Sequence, residues 1–220
     1  MHQVVQNLIY IKEEIQQTLS DLKCDKVPKI IAVSKTFGMN KILPLIEYGH
    51  LDFGENKVQE AIEKWTEIKK SNTDIKLHMI GKLQTNKVKF AVQLFDYIHS
   101  LDNFKLAEKI SKEEVKKNKK IKIFIQVNIG KENQKSGLEI DELKDFYEKC
   151  TKNLNLNVIG IMCIPPNNNN SSKYFSEMQK LSIDIGVKNL SMGMSNDYKE
   201  AAQYGSTYIR IGSKIFGERG

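Results

Sequence analysis

Eight short β-branched runs recur along the chain, each followed by a stretch of helical period. They fall at 30–33, 51–53, 77–80, 97–99, 121–127, 158–161, 190–192 and 208–210, with helix-period stretches at 41–48, 57–69, 103–117, 141–151 and 174–185. Strict strand–helix alternation calls for parallel strands joined by right-handed crossovers. Eight such units close naturally into a (β/α)8 TIM-type barrel, with an open doubly wound sheet as the alternative. The 220 residues suit one barrel and one domain spanning 1–220, since such barrels take about 200 to 250 residues. A 3.6-residue period over 4–22 adds a helix before the first strand. Within 103–117, Leu106, Ile110 and Val115 are assigned to the buried face, and Lys105, Glu108 and Lys112 to the wet one. The asparagine run 167–170 with Ser171 and Ser172, after Pro165 and Pro166, reads as a tolerant loop.

Composition narrows the function classes. No run approaches the roughly 18 apolar residues of a membrane span, and the opening Met1-His2-Gln3-Val4 lacks the order of a signal peptide. Cys24, Cys150 and Cys163 are far apart with no CxxC pair, as expected of reduced thiols in a cytoplasmic protein. The net charge of +7 comes almost wholly from lysine; arginine occurs only at Arg210 and Arg219. Lys116, Lys117, Lys119 and Lys120 follow a helical run and read as a solvated helix end. Nucleic-acid recognition leans on arginine forks and aromatic platforms, and neither is clustered here. Neither nucleic acid nor membrane is therefore expected as a partner. No His, Cys or carboxylate grouping has metal-ligand spacing.

Barrels place their working residues at the C-terminal ends of the strands. The first run ends in Ser34-Lys35-Thr36, where a partly desolvated lysine could attack a carbonyl; a plain surface lysine is the other reading. The second ends in Gly54-Glu55-Asn56, and Asn56 is either a ligand contact or a helix cap. His78 on the third run is either an interior histidine or a site residue. The last two runs lead into Met192-Gly193-Met194-Ser195 and Arg210-Ile211-Gly212-Ser213. Small glycine-bearing turns there, each opening a short helix, are where barrels bind phosphate, although Ser195 and Ser213 would also serve as helix caps. Arg210 interrupts an apolar run, so it either faces the barrel interior or forms a rim ion pair.

The segments 32–36 (AVSKT), 53–60 (FGENKVQE), 78–87 (HMIGKLQTNK), 160–166 (GIMCIPP), 190–195 (LSMGMS) and 210–217 (RIGSKIFG) resemble the pyridoxal phosphate homeostasis protein family. The family is in turn similar to the barrel domain of alanine racemase. The resemblance covers nearly the whole chain. It implies pyridoxal 5'-phosphate (PLP) held as a Schiff base on Lys35, with phosphate bound by Ser195, Gly212 and Ser213. It further implies Arg210 facing the pyridine nitrogen, Asn56 beside the cofactor, Met192 and Gly193 lining the site, and His78 and Ile80 on the mouth side. A second lysine found in some relatives two positions after the Schiff-base lysine is here Phe37. Lys135 matches a lysine implicated in relatives as a secondary aldehyde site. The short stretch Phe216-Gly217-Glu218-Arg219 leads to the expectation that any basic tail found in relatives is missing.

A non-catalytic carrier follows from this resemblance: a monomeric protein that buffers PLP and delivers it to apo forms of PLP-dependent enzymes. Related racemases and decarboxylases complete their sites with a second domain and a partner subunit. The alternative is an amino-acid racemase or decarboxylase acting through Lys35, with Tyr208 or His78 as acid–base partner. A third reading, a nucleic-acid or acidic-protein binder using the lysine surface, demands strong salt dependence.

Overall fold

The computed structural model describes every residue except 24, 25, 133, 169, 219 and 220. Cys24, Arg219 and Asn169 of the polar loop thus lie outside the described residues. Eight strands pair in parallel in chain order, and the eighth returns to the first, which closes the barrel and removes the open-sheet alternative. They are β1 (Lys29–Val33), β2 (Asp52–Glu55), β3 (Lys76–Met79), β4 (Tyr97–Leu101), β5 (Lys122–Val127), β6 (Val158–Cys163), β7 (Asn189–Ser191) and β8 (Tyr208–Ile211). Each boundary lies within two residues of its β-branched run. The helices are α1 (Gln3–Asp21), α2 (Met39–Glu47), α3 (Val58–Ser71), α4 (Val88–Leu94), α5 (Phe104–Lys117), α6 (Leu143–Glu148), α7 (Ser171–Asp184), α8 (Tyr198–Gln203) and α9 (Ser213–Phe216).

Strand alternation sorts side chains into two cores. On β3, Leu77 and Met79 join the shell between strands and helices, while His78 packs inside the barrel against Tyr97. On β8, Ile209 and Ile211 join the shell, and Tyr208 lies inside with Ile31, Phe124 and Met162. The lumen is therefore a filled core and not a channel. The N-terminal helix α1 packs against α2, α8 and α9 and buries Leu8, Ile11 and Ile15. Side chains of this size contribute about 1.5 to 3 kcal/mol each on full burial. Asn7 fixes the pose by donating from Nδ2 to the Ile215 carbonyl at 2.9 Å.

Two local expectations are revised. Val115 is 77% exposed, and α5 instead buries Glu113 and Glu114 beside Leu106 and Ile110. The reason is angular: five residues beyond Ile110 lies well round the helix from the buried stripe. Glu114 accepts from the Ile121 N–H at 2.7 Å and from Lys120 Nζ at 3.0 Å, which secures the entry to β5. Lys119 likewise donates to the Phe95 carbonyl at 2.8 Å, so the lysines after α5 are partly structural. The helix expected over 141–151 is present and changes its winding along its length: a 3-10 turn (Ile140–Glu142) runs directly into α6 and α6 into a π turn (Lys149–Asn153). The short α4 was not marked by periodicity, having only seven residues.

Candidate functional site at the barrel mouth

A cavity of about 750 Å3 opens at the C-terminal end of the strands, and Lys35, Asn56, Ile80, Ser195, Arg210, Gly212 and Ser213 all line it. Lys35 thus meets residues 21 to 178 positions away in sequence, because parallel strands bring their C-terminal ends to one face. Phe37, Lys135, Pro166 and Asp197 complete much of the wall. Ser213, Ile164 and Asn196 are exposed, so the rim meets solvent.

The turn carrying Lys35 is clamped. The Ser34 carbonyl accepts from Lys64 Nζ at 2.8 Å, and the Thr36 N–H donates to Glu60 Oε1 at 2.6 Å. Lys64 also pairs with Glu60 at 2.6 Å and Glu55 at 3.2 Å. This cluster holds Thr36 at φ 67°, a left-handed conformation unfavourable for a β-branched residue. Beneath the turn, Glu55 Oε1 accepts from Ser34 Oγ at 2.7 Å and Trp65 Nε1 at 3.1 Å. Burial raises the Glu55 pKa above the ordinary carboxylate value, and these donors offset only part of that. Phe37 stacks on Phe216 with centroids 4.9 Å apart. That contact ties the Lys35 turn to α9.

Asn56 is not the cap of α3, whose N-cap is Lys57 and which has no side-chain cap bond. A Cβ at Gly81 would stand 2.4 Å from the Asn56 carbonyl oxygen, so only glycine lets the loop after β3 press against Asn56. Ser195 lies in the loop after β7 and Ser213 opens α9, whose N-cap is Gly212, and both line the cavity. Ser195 Oγ accepts from the Lys214 N–H at a long 3.5 Å. Asp197 Oδ1 accepts from the Met194 N–H at 2.6 Å and shapes the loop before α8. Lys135 pairs with Glu132 at 2.5 Å and donates to the Pro165 carbonyl at 3.2 Å.

Arg210 is 4% exposed at the base of the cavity. It donates from Nη1 to Ser191 Oγ at 2.7 Å and from Nη2 to the Cys163 carbonyl at 2.8 Å. These partners are a hydroxyl and a carbonyl, and among the described residues Arg210 forms no rim ion pair. Burial lowers the guanidinium pKa from its ordinary value, yet arginine stays protonated in proteins.

Three expected site residues fall elsewhere. His78 is fully buried in the lumen below the cavity, with Nε2 3.0 Å from Asp52 Oδ1 and Nδ1 2.9 Å from His99 Nε2. It lies two residues before Ile80, one layer deeper along the same inward-facing row. Met192 packs in the strand–helix shell, because it alternates with the inward Ser191. Gly193 supports the site through its backbone: at φ 92° its carbonyl accepts from the Arg210 N–H at 3.0 Å. A Cβ there would stand 2.5 Å from the Ala201 Cβ. Sequence reading did not single out Ser191 and His99. A polar residue at an inward strand position was the available signal.

Among the described residues, no helix is long and apolar enough to cross a membrane, and no grouping of His, Cys, Asp and Glu would hold a metal ion. Cys150 and Cys163 are buried thiols, each pushed up to about 12 by burial.

The family model for the alanine racemase N-terminal domain matches residues 8–220. The pyridoxal phosphate homeostasis protein of Aquifex aeolicus is 38% identical over 200 residues, 87% of each chain. PipY of Synechococcus elongatus, solved with PLP bound, is 31% identical with a TM-score of 0.81, covering 92% of this chain and 100% of that one. The alanine racemase of Clostridium difficile shares the fold at 14% identity and a TM-score of 0.75, and the match covers 99% of this chain but 57% of the racemase. With its closed barrel, its clamped mouth lysine and these full-length likenesses, the chain belongs to the pyridoxal phosphate homeostasis protein family, built on the alanine racemase N-terminal barrel.

Proposed function

We propose that this protein binds pyridoxal 5'-phosphate at the barrel mouth, linked to Lys35 as a Schiff base, and stores and delivers it without catalysing a reaction of its own. The observation that carries this reading is the convergence of Lys35, Arg210, Ser195 and Ser213 on one cavity of about 750 Å3. The donor set fits the cofactor. An amine suits its aldehyde, two hydroxyls and the loop N–H groups of 195–196 and 212–214 suit its phosphate, and Arg210 suits its ring nitrogen. Asn56 and Ile80 would flank the ring, while His78, Met192 and Gly193 would act from behind the wall.

When bound, PLP supplies an electrophilic aldehyde and an electron sink. Arg210 sets the use made of it: a permanent positive charge disfavours a second one on the ring nitrogen, which weakens the sink. The exposed rim favours exchange over chemistry, since catalysis gains from excluding water. Tyr208 and His78, the acid–base candidates of a racemase or decarboxylase reading, are buried in the lumen and do not line the cavity. A barrel acting as one PLP-binding domain, monomeric and cytoplasmic, handing its cofactor to apo-enzymes, is the simplest account of these features.

The first test is an absorbance spectrum of protein given PLP, before and after borohydride, with mass mapping of the adduct. A visible band lost on reduction, with the adduct on Lys35, is expected; an adduct elsewhere overturns the assignment. Lys35→Ala should lose the adduct yet retain PLP in equilibrium dialysis through the phosphate contacts. Turnover of amino acids at about 1 to 1,000 per second, the usual enzyme range, would overturn the carrier reading. So would failure of the loaded protein to reactivate an apo-enzyme.

A further inference from the structure

Below the cavity, five polar side chains from five strands form one continuous hydrogen-bonded chain through the lumen. Arg210 Nη1 lies 2.7 Å from Ser191 Oγ, and Ser191 Oγ lies 2.9 Å from His99 Nδ1. His99 Nε2 lies 2.9 Å from His78 Nδ1, and His78 Nε2 lies 3.0 Å from Asp52 Oδ1. Both rings are held in place by stacking, His78 on Tyr97 at 4.2 Å and His99 on Phe124 at 4.3 Å. Ser191, His78 and His99 are fully buried.

The direction of the chain is fixed from both ends. Arginine only donates, so Ser191 Oγ accepts from it and has its own proton to place. An ionised Asp52 only accepts, so His78 donates through Nε2. Burial pulls the pKa of both imidazoles down, so each is neutral and carries one N–H. His78 must then accept at Nδ1, His99 must donate through Nε2 and accept at Nδ1, and Ser191 must donate to His99. Every donor and acceptor along the path has a single assignment, running from Arg210 to Asp52. Reversing it would turn the His99 Nδ1–H towards Ser191 and leave the serine proton without its acceptor.

We infer that His99, His78 and Asp52 are positioning residues for the cavity: through Ser191 they hold Arg210 in the pose it presents to the ligand. The inference rests on the proposed PLP site for its ligand, but the chain itself belongs to the protein alone. Serine can turn its hydroxyl, so without His99 its lone pairs would no longer be committed to Arg210. The guanidinium would then keep the Cys163 carbonyl as its one fixed side of the pair, with the Ser191 hydroxyl free to turn.

Two measurements test this. In protein without PLP, long-range proton–nitrogen correlation spectra at neutral pH should show His78 and His99 both as neutral Nε2–H tautomers. An Nδ1–H tautomer or a charged ring at either position overturns the chain. Next, PLP affinity is measured by equilibrium dialysis for a cycle of variants. His99→Phe, which keeps a ring against Phe124, and Ser191→Ala, a smaller cut in the same chain, should each weaken binding about five-fold, the scale of one buried hydrogen bond. The same His99→Phe change should have no further effect in an Arg210→Met background. Equal losses in both backgrounds would show a general structural role and overturn positioning through Arg210. If the unaltered protein binds no PLP, the site reading fails, and the tautomer spectra decide the chain separately.

Discussion

The mouth of the barrel and the lumen beneath it are built from the same eight strands but use polar groups in opposite ways. In the lumen, Asp52, His78, His99, Ser191 and Arg210 satisfy one another, and aromatic rings fill the remaining space. At the mouth, Ser195 spends its hydroxyl on one long contact of 3.5 Å, and Ser213 stands exposed on the rim. Buried polar groups must be paired within the protein, whereas rim groups can leave their hydrogen bonds to water until a ligand replaces it. The lumen is therefore expected to govern stability and the mouth to govern binding. Arg210 belongs to both, which is why its pose is the point at which one region can act on the other.

The largest effect that would sharpen this contrast is in the lumen. Phe124→Ala should destabilise the fold by about 3 to 5 kcal/mol in urea unfolding, as large-to-small core changes do. A change below about 1 kcal/mol, within the surface range, would show that the lumen is loosely packed and break the comparison.

Acidification should come next. Burial lowers the His50 pKa to about 4, and His78 and His99 are shifted the same way. The unfolded chain binds protons that the native chain refuses, so stability is full above about pH 6.5 and is lost as the pH falls. His50 alone accounts for about 3 kcal/mol of this loss by pH 4. Glu55 works in the opposite sense, since a raised carboxyl pKa favours the native state as the pH falls. Urea midpoints across this range should decline steadily; a flat profile would mean the histidines are already charged in the fold.

The mouth should behave differently. Ser195→Ala and Ser213→Ala are each expected to cost about 0.5 to 1.5 kcal/mol in PLP affinity by calorimetry, with little change in Tm. A fall in Tm with unchanged affinity would reverse the roles given to the two regions. The smallest effect is reserved for the surface of α5: Val115→Ser should change stability by no more than about 0.5 kcal/mol, because Val115 is exposed.

The legible parts of this molecule were those governed by local period. The eight β-branched runs, the helix before β1 and the small turns after β7 and β8 each follow from alternation, helical spacing or glycine placement. Lys35 and Arg210 stood out because a charged residue at the end of an apolar run needs a reason. Motif resemblance then supplied the ligand that these residues suit. The place of Val115 escaped because short apolar patterns fit more than one helical face.

The sequence by itself determined which residues alternate and where each strand stops, and hence that Lys35, Asn56, Ile80 and the last two turns would share one end of a barrel. Depth was decided only by the tertiary structure. His78 lies on β3 and Ile80 just past its end, two residues on, yet Ile80 reaches the mouth while His78 bonds to Asp52 and His99. Ser191 meets His99 from 92 residues away. Strand period fixes the direction of a side chain, but its neighbours across the lumen depend on closure of the barrel, which no local pattern encodes.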